Sequence, residues 1–185
     1  MFFKIFWIIR YILYSVFFKK AGFPGYLGRP IIILGMNKIS IGKRVRIYPN
    51  ARLEVHGKDA ALIIEDNVGI SQNVHITAGG ILVIKKSATI LANTYVTDID
   101  HEYEDVNVPV LQQEMSIKKT EIGENCFIGM GVAIQAGTIL GKHCIVGSNS
   151  VVRGTFPDYC VIAGIPAKII KKYNPETKIW ERANL

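Results

Sequence analysis

One histidine of this sequence lies in a setting that suits acid–base chemistry. His101 falls in the segment TDIDHEYED, and its acidic neighbours are Asp98, Asp100, Glu102, Glu104 and Asp105. A negative field favours the imidazolium that forms when a histidine takes a proton, and a carboxylate on the other ring nitrogen fixes the tautomer. His101 is therefore a candidate general base, with Asp98 and Asp100 as candidate supporting residues. The segment alone leaves open the alternative of an ordinary solvated loop histidine.

The elements that must position this histidine follow a six-residue period. An aliphatic residue returns at every sixth position at Ile122, Ile128, Ile134, Leu140, Val146 and Val152. This period is neither that of an α-helix nor that of an alternating strand. It is typical of a hexapeptide-repeat parallel β-helix, in which each hexad forms a short strand and three hexads close a triangular coil. The sequence therefore predicts an all-β fold in which the aliphatic residues point inward and stack from coil to coil.

The same period recurs upstream, with interruptions. Three further runs of aliphatic residues are Ile41, Ile47 and Leu53, then Ile64, Ile70 and Ile76, then Ile84, Ile90 and Val96. Short insertions break the period near residues 57–61 and 79–83, and a long one separates residues 98 and 121. Insertions in a solenoid form loops at one corner, and the longest loop often carries function. We predict a β-helix over residues 31–156, with His101 on a long loop at 98–121.

The N-terminal segment is predicted to be an amphipathic helix and a linker, over residues 1–30. Residues 1–20 are apolar, but Lys4 and Arg10 interrupt them, whereas a spanning helix needs about 20 largely uncharged residues. No small-residue cleavage site of a signal peptide follows. A helical wheel gathers Ile5, Ile9, Leu13, Val16 and Phe17 on one face, which either packs on protein or lies on a membrane surface.

The net charge and the cysteines restrict the partners and the cellular compartment that can be expected. The net charge of +7 indicates an anionic partner, and the lysines near the C-terminus suit a phosphate-bearing ligand. No nucleic-acid-binding motif is visible, so nucleic acid is not expected as a partner. Three cysteines without framework spacing favour a reducing, cytoplasmic compartment. Cys126 and Cys144 are expected to stack in the core, and Cys160 lies outside the repeats.

The last segment, residues 157–185, is predicted to be a C-terminal extension with a short helical structure that closes the open end. It contains the motif AGIPAK, residues 163–168. The hexads, the histidine-bearing loop and this motif together resemble the hexapeptide-repeat acetyltransferases. The nearest branch contains galactoside and maltose O-acetyltransferases, xenobiotic acetyltransferases and O-antigen or capsule sugar O-acetyltransferases.

The resemblance implies a left-handed β-helix and a homotrimer with active sites between subunits. It implies that acetyl-CoA is the co-substrate, that the acceptor is a saccharide, and that surface polysaccharide biosynthesis is the context. His101 would remove the proton from a sugar hydroxyl, which then attacks the thioester directly. The cytoplasm, with peripheral contact at the inner membrane face through residues 1–20, would be the site of action.

The family's cofactor contacts can be carried to particular positions of this chain. Ala136, Gly147 and Ser148 would contact the pantetheine of acetyl-CoA, and Lys168 and Lys171 its phosphates. Phe127 stands where the family often has tryptophan, so it would form an aromatic wall of the active site. The resemblance implies no metal.

Three other functions compete with sugar O-acetylation. The first is N-acetylation of a nucleotide-linked amino sugar, where a neutral amine needs less help from a base. The second is a non-catalytic β-helix scaffold. The third is a zinc enzyme of the carbonic anhydrase class that shares this fold, whose signal includes two histidines five residues apart. The four histidines here offer no such pair, and we expect no metal.

Overall fold

The computed structural model describes residues 3–183, which form a three-sided parallel β-helix with one α-helix, α1 (Phe3–Ser15), before it. Its three sheets are called faces A, B and C. Face A contains β1 (Lys20–Ala21), β4 (Ile39–Ile41), β7 (Ala61–Ile64), β10 (Ile81–Ile84), β15 (Glu121–Ile122), β18 (Ile139–Leu140) and β21 (Thr155–Phe156).

The other two faces follow in each coil. Face B contains β2 (Tyr26–Leu27), β5 (Arg46–Ile47), β8 (Gly69–Ile70), β11 (Thr89–Ile90), β16 (Phe127–Ile128), β19 (Ile145–Val146), β22 (Cys160–Gly164), β23 (Ala167–Asn174) and β24 (Ile179–Arg182). Face C contains β3 (Ile32–Leu34), β6 (Arg52–Val55), β9 (His75–Ala78), β12 (Tyr95–Thr97), β17 (Ala133–Ile134) and β20 (Val151–Val152). About seven coils result, and the predicted parallel β-helix is confirmed.

The core consists of the aliphatic side chains that the six-residue period identified. All six between residues 122 and 152 are buried, and they align from coil to coil, as Ile84, Ile122 and Leu140 do on face A. Each coil covers the inner side chains of its neighbour, so the hydrophobic contribution is shared along the whole stack. Thr138 fills a small inward position and satisfies its hydroxyl by donating to the carbonyls of Gln135 and Val152, at 2.6 and 2.9 Å.

The β-helix begins earlier than the sequence predicts. Residues 20–34, which the prediction assigned largely to a linker, form the first coil and pair in parallel with the second. The glycines and prolines of this stretch lie at its corners, where backbones approach closely. At Gly28, a Cβ atom would collide with the backbone of Tyr48 and Pro49 in the coil above.

Helix α1 covers the open end of the first coil with a side that the helical wheel did not select. Tyr11 is buried and donates its hydroxyl to the carbonyl of Gly22 at 2.8 Å, and burial raises the pKa of Tyr11 to about 12. Trp7 packs against Tyr26 and Tyr48, with ring centroids 5.6 and 5.7 Å away. The predicted apolar face is solvent-exposed instead: Ile5, Ile9, Leu13, Val16 and Phe17.

No helix in residues 3–183 combines the length and the apolar character needed to cross a bilayer. Residues 1 and 2 of the segment predicted over 1–20 lie outside the described part of the chain.

The prediction of a helical C-terminal extension over residues 157–185 is wrong, because this segment forms strands up to Arg182. Residues 184 and 185 lie outside the described part of the chain. β22 continues face B in parallel with β19, and β23 and β24 then add to it as antiparallel neighbours. The β-branched residues Ile169 and Ile170 favour a strand. As a strand, β23 pairs with the backbone groups of β22, which a helix in its place would leave unpaired. Cys160, expected outside the repeats, is buried in the core with its Sγ 3.5 Å from that of Cys144.

The insertions all leave the β-helix at one corner, where the chain passes from face C to the next strand of face A. We call it the C-to-A corner. Its connections vary from two residues at 79–80 to the long segment 98–120, whereas the B-to-C connections, such as 129–132, keep four residues. Of the predicted interruptions, residues 56–60 connect β6 to β7, whereas residues 79–80 form a two-residue turn into the four-residue strand β10. The long segment carries His101.

Candidate active site

The long insertion is a hairpin rather than an irregular loop. β13 (Ile99–His101) and β14 (Met115–Ile117) pair in antiparallel fashion, with His101 opposite Met115. The base of the hairpin lies on the preceding coil, where a Cβ atom at Gly79 would be only 2.8 Å from Cγ1 of Ile99. Glycine at this position therefore lets the hairpin rest against the β-helix. His101 is exposed on it, as predicted.

Asp98 fastens the hairpin instead of supporting His101. Its carboxylate is buried, and its two oxygens accept hydrogen bonds from the backbone N–H groups of Gly79 at 2.6 Å and Gly80 at 2.9 Å. These groups belong to the C-to-A connection of the preceding coil. Both carboxylate oxygens are thus engaged at the base of the hairpin, and the predicted role of Asp98 beside the imidazole is replaced by a structural one.

Asp100 is likewise engaged elsewhere. Its Oδ2 accepts hydrogen bonds from Nζ of Lys118 at 2.9 Å and from Nη2 of Arg153 at 2.8 Å. The hydrogen bond from Lys118, aided by Arg153, outweighs partial burial and holds the pKa of Asp100 below its usual range. The carboxylate therefore ties β13 to β14 and to a later coil. No carboxylate of residues 3–183 forms an ion pair or a hydrogen bond with the ring of His101.

His101 lines a cleft between the hairpin and the outer side of face C. The cleft has a volume of about 350 Å³, and its walls combine hydroxyl, aromatic and apolar groups: His56, Thr77, Tyr95, Thr97, Ile99 and Met115. Such a mixture of a few polar groups with aromatic surface is typical of small-molecule sites. His101 also lines a second, more polar cleft, together with Asp100, Lys118 and Arg153.

Sequence reasoning missed the residues that furnish the wall of this cleft on face C. Outward side chains align across three strands, in one row Arg52, His75 and Tyr95 and in the next Glu54, Thr77 and Thr97. The insertions separate these residues by 23 and 20 positions instead of the regular eighteen of three hexads. Only a count corrected for each insertion would have aligned them.

The residues expected to contact acetyl-CoA divide between two corners of one chain. Ala136 is buried at the C-to-A corner, near the base of the hairpin. Gly147 and Ser148 lie at a B-to-C corner, where a Cβ on Gly147 would touch Ala163, the strand partner of Lys168. Gly147, Ser148 and Lys168 therefore lie close together, and Lys171 follows Lys168 on the same strand, β23.

Phe127 is also remote from the hairpin within one chain. It projects from the outer side of face B with 44% of its surface exposed, whereas His101 stands at the C-to-A corner. A single chain therefore does not join the expected aromatic wall to the expected base.

Comparisons with known proteins agree with this architecture. The family model "Bacterial transferase hexapeptide (six repeats)" matches residues 119–154. A protein of Escherichia coli strain K12 named "Putative lipopolysaccharide biosynthesis O-acetyl transferase WbbJ" is 35% identical over 161 residues, covering 83% of this chain and 82% of the relative. The chain belongs to the hexapeptide-repeat acetyltransferases. This membership makes it an acyltransferase and disfavours the non-catalytic scaffold.

Two further comparisons describe the breadth of this acetyltransferase family. Galactoside O-acetyltransferase of Escherichia coli strain K12 is 26% identical over 161 residues, with 87% of this chain and 67% of the relative covered. The crystal structure of AntD, an N-acyltransferase from Bacillus cereus in complex with dTDP and 3-hydroxybutyryl-CoA, superposes with a TM-score of 0.78 at 20% identity, covering 91% of this chain and 90% of AntD. The likeness to AntD shows the shared fold.

The acetyltransferase contains no evident metal centre in the part that the structure describes. No three histidine, cysteine, aspartate or glutamate side chains of residues 3–183 are arranged to hold a metal ion. The three cysteines are free and buried. Each of these cysteines is at most 1% exposed, so its thiol is not accessible to a substrate.

Replacing Asp98 by Asn should destabilise the protein by about 1–3 kcal/mol, because an amide offers one acceptor oxygen where the carboxylate serves two buried N–H groups. Urea unfolding of Asp98→Asn measures this loss. Asp100→Asn is the matched control, since that carboxylate is about one-third exposed and its ion pairs are worth about 0–1 kcal/mol. Equal stabilities for the two variants would contradict the anchoring role of Asp98.

Proposed function

We propose that this acetyltransferase transfers the acetyl group of acetyl-CoA to a hydroxyl of a saccharide, in the biosynthesis of a surface polysaccharide. The observation that carries the proposal is the exposed imidazole of His101 on a cleft with Tyr95 and Thr97 on its other side. An aromatic ring suits the apolar side of a sugar ring, and hydroxyl groups suit its polar edge. The names of the two Escherichia coli relatives, both O-acetyltransferases, support the acceptor class.

The proposed reaction is a direct transfer. The sugar oxygen forms a bond to the thioester carbonyl carbon while its proton passes to the neutral imidazole of His101. The carbon–sulfur bond of the tetrahedral intermediate then breaks, and the leaving sulfur takes the proton from the imidazolium. General-base assistance contributes about 10²–10⁴-fold to such a step. Backbone N–H groups at a coil corner are the proposed donors to the intermediate's oxyanion.

Acetyl-CoA is proposed to bind along the later coils. The main chain at Ala136 would contact the part of the pantetheine that approaches the hairpin, and that at Gly147 and Ser148 would contact it at the other corner. Lys168 and Lys171, both exposed on β23, would supply point charges for the phosphates. Phe127 would form the aromatic wall beside the thioester.

We infer that the enzyme works as a homotrimer. His101 lies at the C-to-A corner, whereas Phe127, Gly147 and Lys168 lie on or next to face B. One chain alone therefore does not complete the proposed site. A neighbouring subunit that brings its face B against the hairpin would complete it. The family resemblance supports three such sites.

Co-expression of two inactive variants tests the shared site. His101→Ala lacks the base and Lys168→Glu repels the phosphates, so each alone should lose most of its activity. Mixed oligomers of the two contain sites that draw an intact half from each chain, and their acetyl transfer should exceed the sum of the separate variants. Co-expression of His101→Ala with the double variant is the control, because it forms no intact site. Activity no greater than that sum, or a monomer in sedimentation, would contradict the proposal.

N-acetylation of a nucleotide-linked amino sugar is the second candidate function. This chain shares the fold of AntD, an N-acyltransferase solved with dTDP, and that likeness is the reason to retain N-acetylation as a candidate. An amine that is already neutral attacks a thioester without giving its proton to a base first. The two functions therefore make different demands on His101.

His101→Ala should lower kcat for ester formation by about 10²–10⁴-fold, because the hydroxyl loses its base. Mass spectrometry would follow the products from acetyl-CoA with p-nitrophenyl glycosides and with dTDP-4-amino-4,6-dideoxyglucose. His143→Asn is the control, since His143 has a positive φ of 55° like Asn125 and Asn149 in equivalent turns. If His101→Ala formed the ester at the wild-type rate, His101 would not be the general base. If the wild type and His101→Ala formed an amide equally well, N-acetylation would be favoured.

We further propose that the enzyme acts in the cytoplasm on the inner membrane surface. The exposed side of α1 and the two residues after it carry seven large apolar side chains, and cations flank them at Lys4, Lys19 and Lys20. An apolar stripe bordered by lysines is typical of helices that lie in the interface of an anionic bilayer. The free cysteines fit a reducing compartment.

Vesicle co-sedimentation tests this surface. The wild type should pellet with vesicles of phosphatidylglycerol and phosphatidylcholine, and the double variant Leu13→Glu/Phe17→Glu should remain in the supernatant because its charges oppose insertion. Ile179→Glu, an equally exposed isoleucine in β24 beyond the last coil, is the control. A wild type that does not pellet, or a double variant that changes only the oligomeric state, would assign the apolar face to a protein contact.

A further inference from the structure

A buried carboxylate lies on the outer side of face C, next to the cleft. The side chain of Glu54 is only 6% exposed, although it points away from the aliphatic core. Its Oε1 accepts a hydrogen bond from Nε of Arg52 at 2.6 Å. Burial alone would raise the pKa of Glu54, but the hydrogen bond from Arg52 and the nearby rings of His56 and His75 outweigh burial and hold the pKa below its usual value. Glu54 is therefore ionised at neutral pH.

Two histidines share the other oxygen of this carboxylate. Nε2 of His56 and Nε2 of His75 each lie 3.5 Å from Oε2 of Glu54, and Nε2 of His75 is also 2.8 Å from Oγ1 of Thr77. An ionised carboxylate can only accept hydrogen bonds. A carboxylate that faces both Nε2 atoms favours the tautomer with the proton there, with Oγ1 of Thr77 as the nearer acceptor for His75. In that tautomer Nδ1 of each ring is an acceptor.

The network adjoins the cleft that His101 lines. His56 and Thr77 form part of the cleft wall, and the ring of His75 lies 5.1 Å from that of Tyr95, another wall residue. His101 stands across the cleft on the hairpin and has no carboxylate partner among residues 3–183. The imidazoles that face a carboxylate are thus those at face C.

We propose that Glu54 is a positioning residue that fixes His56 and His75 as hydrogen-bond acceptors for two hydroxyls of the acceptor saccharide. The inference rests on the proposed O-acetyltransferase function and extends it to the acceptor's chemistry. An acceptor on His56 in the cleft wall and another on His75 beside Tyr95 fit a polyhydroxylated ring that donates two hydroxyl protons and lays its apolar side on Tyr95. A site built to accept from hydroxyls discriminates against an analogue that lacks them, because these half-exposed acceptors lose water to the bound ring without gaining a hydrogen bond.

Substitution of Glu54 by Gln isolates this role from that of the base. The amide introduced by Glu54→Gln donates as well as accepts, so it no longer enforces one tautomer, whereas the shape of the side chain is retained. We expect Glu54→Gln to raise KM for the saccharide by roughly tenfold, the loss of about one hydrogen bond to the acceptor. KM for acetyl-CoA should stay unchanged, and kcat should fall far less than in a variant of His101.

The tautomers themselves provide a readout that does not depend on turnover. Nitrogen-15 NMR of histidine-labelled wild type should show His56 and His75 protonated on Nε2, and Glu54→Gln should lose this preference. Kinetics would use p-nitrophenyl β-galactoside and N-acetylglucosaminide as acceptors. His143→Asn, which removes a histidine remote from the cleft, serves as the matched control and should change neither KM.

The outcomes separate the inference from the function on which it rests. Protonation on Nδ1 in the wild type would overturn the inference. So would an unchanged saccharide KM in Glu54→Gln, provided that the wild type forms an acetyl ester, and the proposed function would then stand. A wild type that forms no ester with any saccharide would overturn the proposed function and the inference together.

Discussion

The ladder of parallel strands between successive coils is the constraint on which everything else in this protein depends. Half of the strands in residues 3–183 contain only two residues, so each of these depends on pairing with the neighbouring coils. The alignment of Ile84 with Ile122 and of Ile122 with Leu140 holds only if the chain returns to the same height after each turn. Connections at the B-to-C corner consequently keep one length, and variation is confined to the C-to-A corner. The position of the hairpin that carries His101 follows from this restriction.

A hairpin that leaves a rigid solenoid needs its own fastening, and the acidic residues near His101 provide it. Asp98 binds two backbone N–H groups of the preceding coil, and Asp100 bridges Lys118 and Arg153. The sequence places five acidic residues around His101 and so indicates a catalytic pair, but two of them, Asp98 and Asp100, hold the insertion in place instead. The orienting carboxylate of the region, Glu54, comes from two coils earlier in the chain.

The sequence predicted those features that depend on the six-residue period, and failed where another interaction decided the structure. The inward aliphatics and the exposure of His101 follow from the period. The first coil was missed because Gly28 and its neighbours indicate a linker, whereas they serve close contacts between coils. The C-terminal strands were missed because short runs of isoleucine and lysine have no distinctive period. The inner side of α1 was missed because Tyr11 looks polar on a wheel, yet its ring fills the end of the core and its hydroxyl finds a carbonyl.

The flatness of the faces explains why the proposed site draws on several parts of the molecule. A β-helix filled with aliphatic side chains has no internal cavity for a substrate, so a site must be built outside it, between a face and something that stands over that face. The hairpin supplies one such wall, and the cleft beside face C results. Glu54 and His75 belong to strands of face C, and His56 directly follows β6, whereas the hairpin is attached through the carboxylates of Asp98 and Asp100. Recognition on the rigid face and proton transfer from the hairpin would thus divide the two tasks between the stiffer and the looser element. The acyl donor then has to enter from a third side, which in the proposed trimer is face B of the neighbouring subunit.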